Sequence, residues 1–245
     1  KLDSLPVDFP EIHIKVNNNP TPGTFYLSNF ALSTGTNNVP YLIKMGNDGT
    51  IKNYKKLNAP INTDFKLNEN GLLTYYDVGK AAFYAMDENF AIVDSFRAIS
   101  GWLTDEHELR FLPNGGYMLF GTQAKVVDMS ALVAGGKRNA IVTFCSIQEF
   151  DANKNLVFIW KTEDNFNITH SVGVDLTMPY IDYAHCNAIE IDTDGNILLS
   201  SRHFDEITKI NRTTGAIIWR LGGKACVNNQ FTFQDDLNAG FDGFS

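Results

Sequence analysis

Residues 188–220 read AIEIDTDGNILLSSRHFDEITKINRTTGAIIWR. Short runs rich in Ile, Leu, Thr and Trp alternate with an Asp-Gly turn and a Thr-Thr-Gly turn, and no 3.6-residue apolar period runs through them. The reading is two successive β-hairpins, four strands in all. The same order recurs upstream. FKLNENGLLTYYDVGKAAFYAMDENFAIVDSF spans 65–96, and LRFLPNGGYMLFGT opens a longer copy at 109 that closes with AIVTFCSIQEFDANKNLVFIWK at 161. A looser first copy, TFYLSNFALSTGTNNVPYLIKMGNDGTIKNYK, covers 24–55. The turns MGNDGTI, MDENFAI, FDANKNL and INRTTGAI fall at matching places in the four copies. A four-stranded antiparallel unit repeated at this length has the strand count of a propeller blade. A β-sandwich also has short strands at regular spacing, but it does not predict the same turn chemistry at matched positions.

The expected fold is therefore all-β: a β-propeller of four-stranded antiparallel blades at about 24–55, 65–96, 109–161 and 188–220. One incomplete propeller domain over 1–245 is expected, its remaining blades supplied from the same gene or by another chain, because an open ring leaves unpaired strand edges. Two stretches break the ladder, 123–139 and 162–184, and read as insertions on blade loops, where binding surfaces collect. DMSALVAG within the first reads as one helical turn.

Bulk composition agrees with a folded chain of 245 residues: 44% hydrophobic, 12% aromatic and 20% charged. No apolar run reaches the roughly 18 residues that span a bilayer, so no membrane span is expected. A net charge of −8, with 20 Lys and Arg spread thinly, argues against nucleic acid, whose binding needs clustered cations. Cys145, Cys186 and Cys226 show no C-x-x-C spacing, so no metal site is read from them; one bridge is possible, with one thiol left over. Gly135-Gly136-Lys137 and Gly222-Gly223-Lys224 lack the remainder of a phosphate loop. No cofactor is implied.

The chemistry concentrates where the last copy begins, in YAHCNAIEIDTDGNILLSSRHF, 183–204. With Asp194-Gly195 as a two-residue type I′ turn, Thr193 faces Asn196 and the count back along both strands pairs Asn187 with Arg202. His185 then shares that face and lies diagonal to Arg202. Three such groups can converge on a small anion. In the third copy, with Asn114-Gly115 as the turn, His107 falls at the level of Asn187 and faces Thr122. The alternatives for these residues are structural: an Arg at a strand end pairing with a carboxylate such as Glu206, and an Asn capping backbone groups. His13, His170 and His203 have no such partners and read as structural.

At AHCNAIEIDTDGNILLSSRHFDEITKINRTTGAIIWRLGGK (184–224) the sequence resembles the arylsulfate sulfotransferase family, the nucleotide-independent enzymes of the bacterial periplasm. The H-x-N strand, the Asp-Gly turn, Ser-Ser-Arg and the G-x-I-x-W-x-L-G-G end carry the likeness, with DEHELRFLPNGGYMLFG (105–121) one blade earlier. The resemblance implies a six-bladed propeller, about four blades of which lie in this chain. It implies transfer of a sulfuryl group from an aryl sulfate to a phenolic acceptor through a sulfohistidine, without metal or carrier nucleotide, in a periplasmic or secreted protein. Carried over, Arg202 and Asn187 bind sulfuryl oxygens, while His185 and His107 donate hydrogen bonds or protonate the leaving phenolate; Thr122 is added as a substrate-binding residue. The nucleophilic histidine is expected beyond Ser245. The alternative is a non-catalytic propeller that binds an anionic ligand or a partner protein.

Overall fold

The computed structural model describes residues 4–29, 39–58 and 61–232. They form two compact units that divide between Arg97 and Ala98. The chain is all-β, with four sheets whose consecutive strands run antiparallel.

The first unit holds two sheets. Strands β1 (Thr24–Ser28), β2 (Tyr41–Gly46) and β3 (Ile51–Lys56) form the first; β4 (Asn62–Leu67), β5 (Leu73–Asp77), β6 (Ala82–Met86) and β7 (Ile92–Phe96) form the second, each in sequential order. The first sheet has three strands among the described residues, where four were expected over 24–55. Residues 30–38 of that copy lie outside the described residues. Leu42, Phe65, Leu73, Tyr75, Met86 and Phe90 bury a common core.

The second unit holds the longer pair of sheets. Strands β8 (Leu103–Phe111), β9 (Tyr117–Val127), β10 (Ala140–Phe150) and β11 (Leu156–Lys161) lie side by side, and a short strand β12 (Tyr180–Asp182) joins β10 in parallel. Strands β13 (Cys186–Ile191), β14 (Ile197–Ser201), β15 (Glu206–Ile210) and β16 (Ile217–Gly222) make the last sheet. The expected insertion at 123–139 is a loop only in part. Residues 123–127 prolong β9, which pairs with β10 to the end of the hairpin, and a 3-10 turn at Met129–Ala131 caps the tip. The stretch 162–184 packs onto this unit through α1 (Thr162–Asn165), a second 3-10 turn and β12. Tyr183 and Phe204, both fully buried, join Phe144 and Phe166 in its aromatic core.

The repeated turns share one backbone design. In the last sheet the Asp192 amide donates to the Asn196 carbonyl (2.9 Å), the Gly195 amide donates to Asp192 O (2.8 Å), and Gly195 sits at φ +81°. The same pair of bonds closes Leu112–Gly116, Asn68–Leu72 and Gly46–Thr50, with Gly115, Gly71 and Gly49 in the left-handed position. This is a type I turn followed by a left-handed residue. It differs from the two-residue turn expected at Asp194-Gly195, in which both central residues need positive φ; Asp194 does not have it. In two of the second hairpins Phe90 and Lys154 occupy the left-handed place at φ +63° and +65°. Burial of the Phe90 ring (3% exposed) offsets that strain.

Candidate functional site

The longer turn moves the register by one residue. Ile191 faces Ile197 and Ala188 faces Ser200, but Cys186 faces Ser201, so Asn187 is an extra, bulged residue. The expected Asn187–Arg202 cross-strand pair is therefore not formed. Arg202 opens a 3-10 turn, Arg202–Phe204, and its amide donates to His185 O (3.0 Å). A larger bulge interrupts β8: Leu109 faces Leu119 and Thr104 faces Gly121, which leaves Asp105, Glu106, His107 and Glu108 looped out opposite Phe120. Thr122 pairs with Leu103 and Cys145 instead of His107, so that expected facing is also corrected. Bulges on edge strands re-aim side chains, and here they aim two imidazoles.

Strands β8 and β13 are the adjoining edges of their sheets and pack side by side, with an ion pair between Arg110 and Glu190 across them. The His107 and His185 rings meet there, their centroids 5.0 Å apart at an interplanar angle of 74°. Each ring is held by an acid shortly before it in sequence. Asp105 Oδ1 accepts from the His107 amide (3.0 Å) and lies 2.7 Å from its Nδ1. Asp182 accepts from the His185 amide (3.2 Å) and lies 2.6 Å from its Nδ1. In the ordinary ionised state a carboxylate only accepts, so both Nδ1 atoms carry a proton and both Nε2 atoms are left for chemistry. His185 adopts φ +46°, a left-handed backbone that costs roughly 1–2 kcal/mol in a non-glycine residue.

The hydrogen bond that His107 donates to Asp105 raises the His107 pKa above the ordinary imidazole value, outweighing partial burial, and the charges of Asp105, Glu106 and Asp182 add to the rise. Burial alone would push the Asp182 carboxyl up. The bond from His185 and the charges of His185 and His203 together outweigh it and hold Asp182 below the carboxylate range. The pair thus favours an ionised acid beside a proton-bearing ring.

Asn187 presents a carboxamide whose Oδ1 is buried without a hydrogen-bond partner, a condition that costs about 1–3 kcal/mol unless a ligand satisfies it. Arg202 is exposed, and its guanidinium makes no hydrogen bond to Asn187 or to either imidazole among the described residues. Nor does it pair with Glu206, whose carboxylate is taken by Arg220. The structure therefore brings His107 and His185 together, sets Asn187 beside them in sequence as a bulge, and leaves Arg202 at the surface. Thr122 is half-buried with its hydroxyl 3.5 Å from Leu103 O.

Three residues of the cluster were not singled out by the sequence reading. Asp105 and Asp182 stand two and three residues before their histidines, and that D-x-H and D-x-x-H spacing is a signal the sequence does carry. His203, read as structural, stacks against His185 with centroids 4.9 Å apart, and its Nδ1 meets the Asp182 carbonyl oxygen. Only the 3-10 turn puts it there.

The fold and site define an all-β protein of repeated antiparallel sheets that carries acid-anchored imidazoles where two sheet edges adjoin. The family model for arylsulfotransferase (ASST) matches residues 12–238, and the chain belongs to that family. No curated protein matches significantly. Among solved structures the chain is similar to a streptogramin B lyase (10% identity, TM-score 0.43, 76% of this chain and 49% of that one). It is also similar to the glutaminyl cyclase of Myxococcus xanthus (14% identity, TM-score 0.41, 82% and 66%). A third is the virginiamycin B lyase of Staphylococcus aureus (9% identity, TM-score 0.42, 83% and 70%). The chain thus spans about half the length of the first of these.

Proposed function

We propose that the chain forms the sulfuryl-binding wall of an aryl sulfotransferase. Family membership supports the reaction class, and the observation that carries the site is the pair of acid-anchored imidazoles 5.0 Å apart, with an Asn187 Oδ1 two residues after His185 that is buried without a hydrogen-bond partner. In this reading the four sheets are blades of one propeller, six blades in the whole protein, and β8 and β13 line its central channel. The nucleophilic histidine lies beyond Ser245, and the protein works in the periplasm or outside the cell.

The chemistry follows from what the side chains can offer. An aryl sulfate enters with its SO3 oxygens toward the Nε2 atoms of His107 and His185, the Asn187 carboxamide and Arg202, whose planar fork suits two oxygens at once. Attack by the distant histidine forms an N–S bond and breaks the S–O bond to the ring. The departing phenolate takes the Nε2 proton of one of the two rings in its imidazolium form, which the Asp105 and Asp182 carboxylates stabilise through Nδ1–H, leaving that ring neutral. A phenolic acceptor then reverses the step. Its proton returns to the imidazole, its oxygen forms the new S–O bond, and the N–S bond breaks. Dividing one displacement into two lowers each barrier, and donors fixed in advance stabilise the charge that moves.

The test uses the whole protein with a chromogenic aryl sulfate and a phenol, without nucleotide. Loss of a proton donor lowers rate by about 10²–10⁴, so His185→Ala and His107→Ala are expected to fall in that range and Arg202→Ala to lose substrate affinity. Variants that transfer as fast as the parent would sink the assignment. A parent that binds aryl sulfate without turning it over would favour a non-catalytic anion binder.

A further inference from the structure

The Asp182 carboxylate and the ring nitrogens of His185 and His203 place one ligand atom each within 4.8 Å of one another, and all three residues are half-buried. His203 is the informative member, because the transfer chemistry above gives it no task. Its Nδ1 faces a backbone carbonyl, Asp182 O, which can only accept. Nδ1 therefore carries the proton and Nε2 keeps a bare lone pair. A metal-binding histidine has this arrangement: the far nitrogen tied to a carbonyl, the near one free. The residue is also clamped. Its carbonyl accepts from the amides of Val172 (2.7 Å) and Gly173 (3.0 Å) and from Ser171 Oγ (3.1 Å). A Cβ on Gly173 would stand 2.8 Å from His203 Cδ2, so glycine is what lets the two segments close.

We propose that Asp182, His185 and His203 bind one divalent transition-metal ion, with Zn2+ the best fit. Two imidazoles and a carboxylate are a zinc donor set with the fourth position open, whereas Mg2+ and Ca2+ need six or more oxygen ligands. Zinc bonds of about 2.0–2.1 Å in a tetrahedron hold ligand atoms roughly 3.3 Å apart. The His185 Nδ1–Asp182 Oδ2 separation of 2.6 Å lies below that spacing, and the 4.8 Å bound on the set lies above it. Closing the set onto one ion therefore requires side-chain rotation. On binding, the ion takes the place of the proton between His185 Nδ1 and Asp182, that proton moves to His185 Nε2, and the ring stays neutral.

The proposal does not rest on the transfer reaction, and its test does not read activity. The full-length protein is stripped with a chelator, titrated calorimetrically with Zn2+, and titrated with Co2+ by visible absorption. One equivalent of ion and the intense absorption of tetrahedral Co2+ are expected. His203→Asn keeps a donor for Asp182 O but removes the ligand nitrogen, and it is expected to weaken Zn2+ binding at least about tenfold. His13→Ala removes an exposed imidazole 3.3 Å from Glu11 and is expected to bind as the parent does. A second readout needs no variant: Zn2+ is expected to shield His185 and His203 from diethylpyrocarbonate, followed by mass spectrometry. Absence of stoichiometric binding, equal affinity in His203→Asn, loss in His13→Ala, or unshielded rings would each overturn the site.

Discussion

Replacing Arg220 by alanine strips the counter-charge from a carboxylate that water cannot reach. Glu206, at the start of β15, has no exposed side-chain surface, and Arg220 on β16 is 13% exposed, with Nε 2.7 Å from Oε1. What remains for Glu206 after the substitution is the Thr208 hydroxyl at 2.5 Å, plus Cys226 Sγ and Asn228 Nδ2, each 3.5 Å from Oε2. Those three neutral groups do not balance a buried charge, and breaking a buried pair from one side costs about 3–5 kcal/mol. The guanidinium also lies 4.7 Å above the Phe166 ring, and Phe166 packs on Phe204 at the end of the Arg202–Phe204 turn. At roughly 2–4 °C per kcal/mol for a unit of this size, the expected fall in Tm is roughly 6–20 °C. Urea denaturation followed by tryptophan fluorescence isolates the effect, since Trp102, Trp160 and Trp219 all lie in the second unit. The double variant Glu206→Gln, Arg220→Met removes both charges and is expected to recover most of the loss. A loss below about 1 kcal/mol for Arg220→Ala, or a double variant no better than the single, would refute the desolvation argument.

The Asp105–His107 contact gives a pH signature. Because Asp105 raises the folded pKa of His107 above the unfolded value of about 6.5, its stabilisation is whole below about pH 6.5 and is lost as pH rises through the folded pKa. Asp105→Asn is expected to bring the His107 pKa down in an NMR titration and to flatten that loss; an unmoved pKa would remove Asp105 from its role. The three thiols give a second check. Burial pushes Cys145 well up and raises Cys226 to about 11, while Cys186 is buried. A disulfide reagent at pH 8 is expected to react slowly with the native protein and with three thiols after unfolding; rapid labelling of Cys145 or Cys186 in the native state would contradict the packing.

Hairpin placement was legible because it depends on neighbours in the chain. Asn70-Gly71, Asn114-Gly115 and Asp194-Gly195 each mark a turn, and the apolar runs on either side can bury only as strands. The copies read at 65–96, 109–161 and 188–220 become sheets at 62–96, 103–161 and 186–222. Residue-level register was less legible. Asp-Gly serves two turn types that differ by one residue, and the choice decided whether Asn187 met Arg202 or bulged out between its neighbours. The His107 bulge was invisible for a related reason: a ladder counted outward from a turn assumes regular pairing, and Asp105–Glu108 leave it.

What the sequence by itself determined is therefore the local grammar: which segments are strands, where they reverse, and that histidines stand near the starts of two matched strands. Tertiary structure alone decided which groups meet. Asp182 reaches His185 and His203 because a parallel strand docks on β10 and a 3-10 turn folds back beneath it. Arg202, one residue from His203, is left at the surface by that same turn. Turn propensity acts over a few residues of chain, whereas a bulge or a docked strand is stabilised by packing contacts from elsewhere in the molecule, and no short-range pattern encodes those.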